Sequence, residues 1–137
     1  MVSGFAGQPQ GDGAARTGRF GVEVRPAAGA VVLVLSGELD HDTAEPLREA
    51  LAEAVQAAPE RIVIDCADLS FCDSTGLNLL LRARLAAREA DSRLALSALR
   101  PSVARMFDIT GAQAVFPVYA RLDEALANER PEAGEER

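Results

Sequence analysis

Apolar positions recur along this chain in two rhythms. Phe20-Gly21-Val22-Glu23-Val24 alternates with a period of two, as a half-exposed strand does. Val31-Val32-Leu33-Val34-Leu35 is apolar throughout, as a strand covered on both faces must be. The short Pro-Ala-Ala-Gly stretch at 26–29 reads as the turn between them, which predicts one antiparallel pair. The period then changes to that of a helix. Leu47, Leu51, Ala54, Val55 and Ala58 fall on one helical face, and Pro59 stops it. Ahead of it, Asp42-Thr43-Ala44-Glu45 has the spacing of a capping box, with Pro46 tolerable in the first turn.

Ile62-Val63-Ile64 reads as the next buried strand, followed by a second helix from Thr75 to about Ala90. Leu94-Ala95-Leu96 gives a fourth strand. A short helix then turns Val103, Met106 and Phe107 inward and closes at Gly111. Val115 to Tyr119 reads as a fifth strand, which Pro117 assigns to an edge, and Leu122, Ala125 and Leu126 mark a last helix. Strands alternating with helices predict an α/β domain, with a mixed, mostly parallel sheet of about five strands and about four helices. The domain is expected over 19–129. The Gly-rich stretch 1–18 and the acidic, proline-interrupted stretch 130–137 are expected to be flexible tails.

The second helix carries two stripes. Leu79, Leu80, Ala83, Ala87 and Ala90, with Gly76, form a face of mostly small residues suited to close packing on a sheet. Leu77, Leu81 and Leu85, bordered by Arg84 and Arg88, form another. That second stripe reads equally as further core or as a partly exposed partner surface.

Composition narrows the chemistry. The 137 residues make one domain by length, and 48% hydrophobic content supports a real core. A net charge of -7 argues against nucleic acid or an anionic membrane as the main partner. The chain has no lysine, which removes Schiff-base chemistry and a P-loop lysine. The first residues have neither the basic start nor the apolar run of a secretory signal. No apolar stretch approaches the roughly 20 residues of a membrane helix, so a cytoplasmic protein is expected. Cys66 and Cys72 are expected as reduced thiols, and one histidine is too few for a Cys/His zinc site. No metal or cofactor is expected.

The candidate chemistry sits at the junction Asp73-Ser74-Thr75-Gly76-Leu77, between the third strand and the second helix. By spacing alone, Ser74 is a helix cap worth about 1 kcal/mol. A nucleophile is the second reading, but the G-x-S-x-G elbow is absent, since Cys72 stands at its first glycine. The lone His41 has only its neighbours Asp40 and Asp42 to orient it, a poor arrangement for a triad. A receiver-like phosphoaspartate at Asp65, read as the end of the third strand, fails for want of a lysine and of an acidic pair after the first strand. No phosphate-cradling glycine motif is present, so any ATP must belong to another protein.

The segments SFCDSTGLNLLLRA, SGELDHDTA and VIDCADL resemble the anti-sigma-factor antagonist family, the STAS-domain proteins of bacterial partner switching and transcription regulation, from about Phe20 to Asn128. The Asp-Ser-[Ser/Thr]-Gly-Leu element is the family's most specific motif and is intact. The resemblance implies that Ser74 is phosphorylated by an anti-sigma factor that is itself a GHKL-type serine kinase, which supplies ATP and magnesium. Thr75 is the lesser acceptor. It also implies that Asp40 lies near the phosphosite, and that Asp40, Asp73, Ser74, Thr75, Gly76, Leu77 and Leu81 form the partner surface. The unphosphorylated form would bind the kinase and free a sigma factor, and a separate phosphatase would reset the switch. The family also contains scaffold or accessory subunits of signalling and transport assemblies that need no kinase turnover. Cys72 before Asp73 is unusual, readable as a small buried residue or as a redox sensor.

Overall fold

A continuous apolar run is stable as a strand only if both faces and both edges are covered. Val31–Leu35 lies inside such a strand. In the computed structural model, which describes residues 19–127, strand β2 (Ala30–Leu39) runs between β1 (Phe20–Ala27), antiparallel to it, and β3 (Arg61–Cys72), parallel to it. Strands β4 (Arg93–Ser97) and β5 (Val118–Tyr119) extend the parallel part, giving the order β1-β2-β3-β4-β5. The helices are α1 (Glu45–Ala57), α2 (Ser74–Glu89), α3 (Pro101–Ile109) and α4 (Leu122–Ala127). This is the mixed, mostly parallel α/β sheet that the alternating periods predict. Both expected tails, 1–18 and 130–137, lie outside the described residues.

The period-two alternation sorts strand side chains between two layers. Leu33, Leu35, Ile62, Ile64, Leu94 and Leu96 face α1, α2 and α3, where Leu47, Leu51, Leu80 and Phe107 complete the main core. Each such buried side chain is worth about 1.5–3 kcal/mol. Val32 and Val63 point to the opposite face and pack with Ala125 of α4. The buried Arg61 joins α4 to the start of β3, donating through Nη1 to the carbonyls of Ala125 and Leu126.

Four local expectations are corrected. The first hairpin is tighter than 26–29, because β1 continues to Ala27, which pairs with Ala30 across a two-residue turn at Ala28-Gly29. Pro26 is accommodated because β1 is an edge strand. Asp65 does not end β3; the strand runs on to Cys72, and the Asp65 carboxylate accepts from the Ala67 amide at 3.2 Å. The capping box at Asp42 does not form. The N-cap of α1 is Ala44 with no side-chain bond, because Asp40 has already taken the amides of Asp42 and Thr43. Finally, β5 is only two residues long. Ala112–Ala114 forms a 3-10 turn, and Phe116 turns inward to pack on Phe107, with ring centroids 6.1 Å apart.

Candidate functional site

The ends of β2 and β3 lie side by side, Leu39 opposite Cys72, so the residues that follow each strand meet. The Asp73 amide donates to the Leu39 carbonyl at 3.1 Å, fixing the start of α2 beside the loop that opens at Asp40. Two glycines make this closeness possible. A β-carbon on Gly76 would lie 2.6 Å from Leu39 Cδ2 and 2.9 Å from Cys72 Sγ. Gly37 has φ of +86°, and a β-carbon there would lie 1.8 Å from the Arg19 carbonyl oxygen, in a stretch where the β2–β3 register slips.

Asp73, not Ser74, caps α2. Its Oδ1 accepts from the Thr75 amide at 2.9 Å and the Gly76 amide at 3.2 Å. The capping reading therefore holds for the motif and is corrected for the residue. Ser74 is the first helical residue and is exposed, and its hydroxyl has no partner among the described residues. Thr75 is half-buried. Gly76 and Leu77 are buried against the core, so they shape the helix start and present almost no side chain to a partner.

Asp40 is equally committed. Its Oδ1 accepts from the amides of Asp42 (2.9 Å) and Thr43 (3.1 Å), while Oδ2 pairs with Arg19 Nη1 at 3.1 Å. Thr43 closes the loop, accepting from the Asp40 amide at 2.9 Å and donating to the Glu38 carbonyl at 2.8 Å. Arg19 also reaches Glu38 at 3.2 Å. Burial pushes the Asp40 carboxyl up, but the Arg19 hydrogen bond and those from Asp42 and Thr43 outweigh it and hold the group below its ordinary value. Asp40 thus organises the loop. The spacing Asp40-x-x-Thr43 carries a readable turn signal, whereas the Arg19 contact across 21 residues carries none.

The second stripe of α2 divides along its length. Leu77 is core, Leu81 is partly buried against it, and Leu85 is 56% exposed. His41 is exposed and lies 3.2 Å from Asp42, and it shares no hydrogen bond with Ser74 among the described residues; no triad is assembled. Cys66 and Cys72 are buried free thiols. Burial, and then the Asp73 charge, push the Cys72 thiol up to about 12, which disfavours the thiolate. No group of residues suited to a metal, and no helix long and apolar enough to cross a membrane, occurs among the described residues.

Comparison with known proteins identifies the family. Residues 22–129 match the family model described as Mlab, STAS domain. The chain is 32% identical over 99 residues to an anti-sigma F factor antagonist of Paenibacillus polymyxa, covering 72% of this chain and 85% of the relative. The crystal structure of an anti-sigma factor antagonist from Mycobacterium paratuberculosis superposes with a TM-score of 0.69 at 32% identity, over 78% of this chain and 91% of that one. SpoIIAA, an anti-sigma factor antagonist, matches at 28% identity in two forms. The unphosphorylated one has a TM-score of 0.68 over 77% of this chain and 93% of its own. The phosphorylated one, from Bacillus, has 0.64 over 80% and 100%. These relatives are named for regulation, not catalysis. With a family match over 22–129 and a relative 32% identical across 85% of its length, the chain belongs to the STAS-domain family of anti-sigma-factor antagonists.

Proposed function

We propose that this protein is a phosphorylation-gated antagonist: with Ser74 unmodified it binds an anti-sigma factor that is also a serine kinase, and so releases a sigma factor. The γ-phosphoryl group of the kinase's ATP passes to Ser74 Oγ, the hydroxyl proton leaves, and ADP is released. Phosphoserine ends the interaction, and a phosphatase restores it by hydrolysis.

The observation that carries this reading is the division of labour at the start of α2. Asp73 takes the capping bonds, which leaves the Ser74 hydroxyl exposed and unpartnered among the described residues. A relative at 28% identity that exists in unphosphorylated and phosphorylated forms supports it further. Phosphate adds about -1.5 to -2 charges beside Asp73. A helix N-terminus ordinarily attracts such a group, but Asp73 already occupies the Thr75 and Gly76 amides, so the phosphate stays outward and hydrated. A partner closing over it must strip that water or oppose the charge.

The test is phosphopeptide mapping after incubation with ATP and candidate kinases of this class. Trypsin releases Ile62–Arg82 as one fragment, in which fragmentation separates Ser70, Ser74 and Thr75. Phosphate is expected on Ser74. In binding assays Ser74→Ala should associate constitutively and Ser74→Asp weakly; equal binding by both variants and wild type would sink the mechanism.

A further inference from the structure

Between α1 and α2 runs a groove of about 420 Å³ that includes Leu51, Val55, Leu79 and Ala83 in its lining, with Arg48 and Arg82. A smaller recess of about 180 Å³ lies toward the start of α2, where Thr75 and Asn78 join the same two arginines. Arg48, Leu79 and Arg82 border both spaces, so the two form one trench that begins at the residue after Ser74. Helical spacing builds it: Thr75, Asn78, Arg82 and Ala86 follow one another at three and four residues along α2. No acidic side chain lines either part. Glu45 holds Arg48 at 3.2 Å, whereas Arg82 has no partner among the described residues. Ala52 and Ala86, both exposed, keep the trench open by their small size.

We propose that this trench is where the anti-sigma kinase docks, through a segment that inserts an apolar side chain flanked by carboxylates. The inference rests on the Ser74 reading and adds the chemistry of the partner to it. The chain carries a net charge of -7, whereas this trench has no carboxylate in its lining and holds Arg82 free of any acidic partner among the described residues, so it favours an acidic segment. Its apolar lining asks for an apolar occupant, and its helical walls suit a groove-bound segment. Continuity with Thr75 explains the gate. A phosphate on Ser74, one residue from the Thr75 end of the trench, stays outward and repels the partner's carboxylates. One modification thereby acts on the charges that hold the partner.

The kinase used is the one that labels Ser74 in the mapping above, and affinity is read by calorimetry on the full chain carrying Ser74→Ala, which cannot turn over. On that background Arg82→Glu is expected to weaken binding about tenfold or more and to flatten its salt dependence. Ala52→Leu with Ala86→Leu fills the trench from two exposed positions that the core does not use, and is expected to weaken binding comparably. Arg105→Glu, exposed on α3 outside the trench, should stay within about twofold, and thermal melts confirm that each variant folds. If both trench variants bind as tightly as the reference while Ser74→Asp still fails, the trench is overturned and the Ser74 switch stands. If no kinase labels Ser74, or the reference itself does not bind, both are overturned.

Discussion

A serine that caps a helix has its hydroxyl tied to backbone amides; at the start of α2 that tie belongs to the neighbouring carboxylate of Asp73, and the serine is left exposed. The same economy of space governs Gly76. Alanine is the better helix former by about 1 kcal/mol, which alone would make Gly76→Ala stabilising. Its β-carbon, however, would meet Leu39 Cδ2 at 2.6 Å, Leu39 Cγ at 2.7 Å and Cys72 Sγ at 2.9 Å, and both residues are buried with little room to withdraw. Overpacking of that kind costs about 1–3 kcal/mol and wins. Net of the propensity gain, Gly76→Ala is therefore expected to lower stability by up to about 2 kcal/mol in urea unfolding, and to shift Ser74 relative to the Asp40 loop. A rise in stability would show that α2 can ride up from β2 at no cost, against the packing described.

At the scale of elements, the ends of β2 and β3 matter most, and they are also where sequence and structure part company. Val31–Leu35 was legible because a doubly covered strand must be apolar. Ser36-Gly37-Glu38 was not, since its strand character comes from pairing with β1 and from a register slip beside Gly37, neither visible in local pattern. The cap of α2 was legible as a motif because a helix start is a local structure; Asp73 caps because its backbone is still extended (φ -98°, ψ -171°) while Ser74 is already helical. The meeting of Arg48 and Arg82 carries no local sequence signal, because it depends on how two helices pack. The loop between β2 and α1 yields a test of its own. The Asp40 carboxyl is held below its ordinary value, so its folded pKa lies under the unfolded value of about 3.9. Its contribution is thus present at neutral pH and is lost as pH falls through the folded value. Asp40→Asn should be less stable than wild type at pH 7, and the gap should narrow on acidification below about pH 4. A gap constant across that range would mean the Arg19–Asp40 pair does not contribute to holding the loop.

For the whole molecule, the proposed phosphorylation of Ser74 could act by refolding the domain or only by altering its surface. Most of α2 lies on the main core through Leu77, Leu79, Leu80, Ala83 and Ala87, and the leucines alone are each worth about 1.5–3 kcal/mol. A phosphate at the exposed first residue gains about 0.3–1 kcal/mol from the helix dipole and is opposed by Asp73 beside it. The local charge effects are several times too small to unseat the helix. Phosphorylated protein and Ser74→Asp should therefore unfold within about 1 kcal/mol of wild type, with unchanged amide protection in β2, β3 and the body of α2, while kinase binding is lost. Amide exchange followed by mass spectrometry on the two phosphoforms reads this directly. Protection lost beyond the first turn of α2 would mean that the signal travels through the fold; protection lost nowhere, with binding abolished, would leave charge and hydration at Ser74 as the whole of the gate.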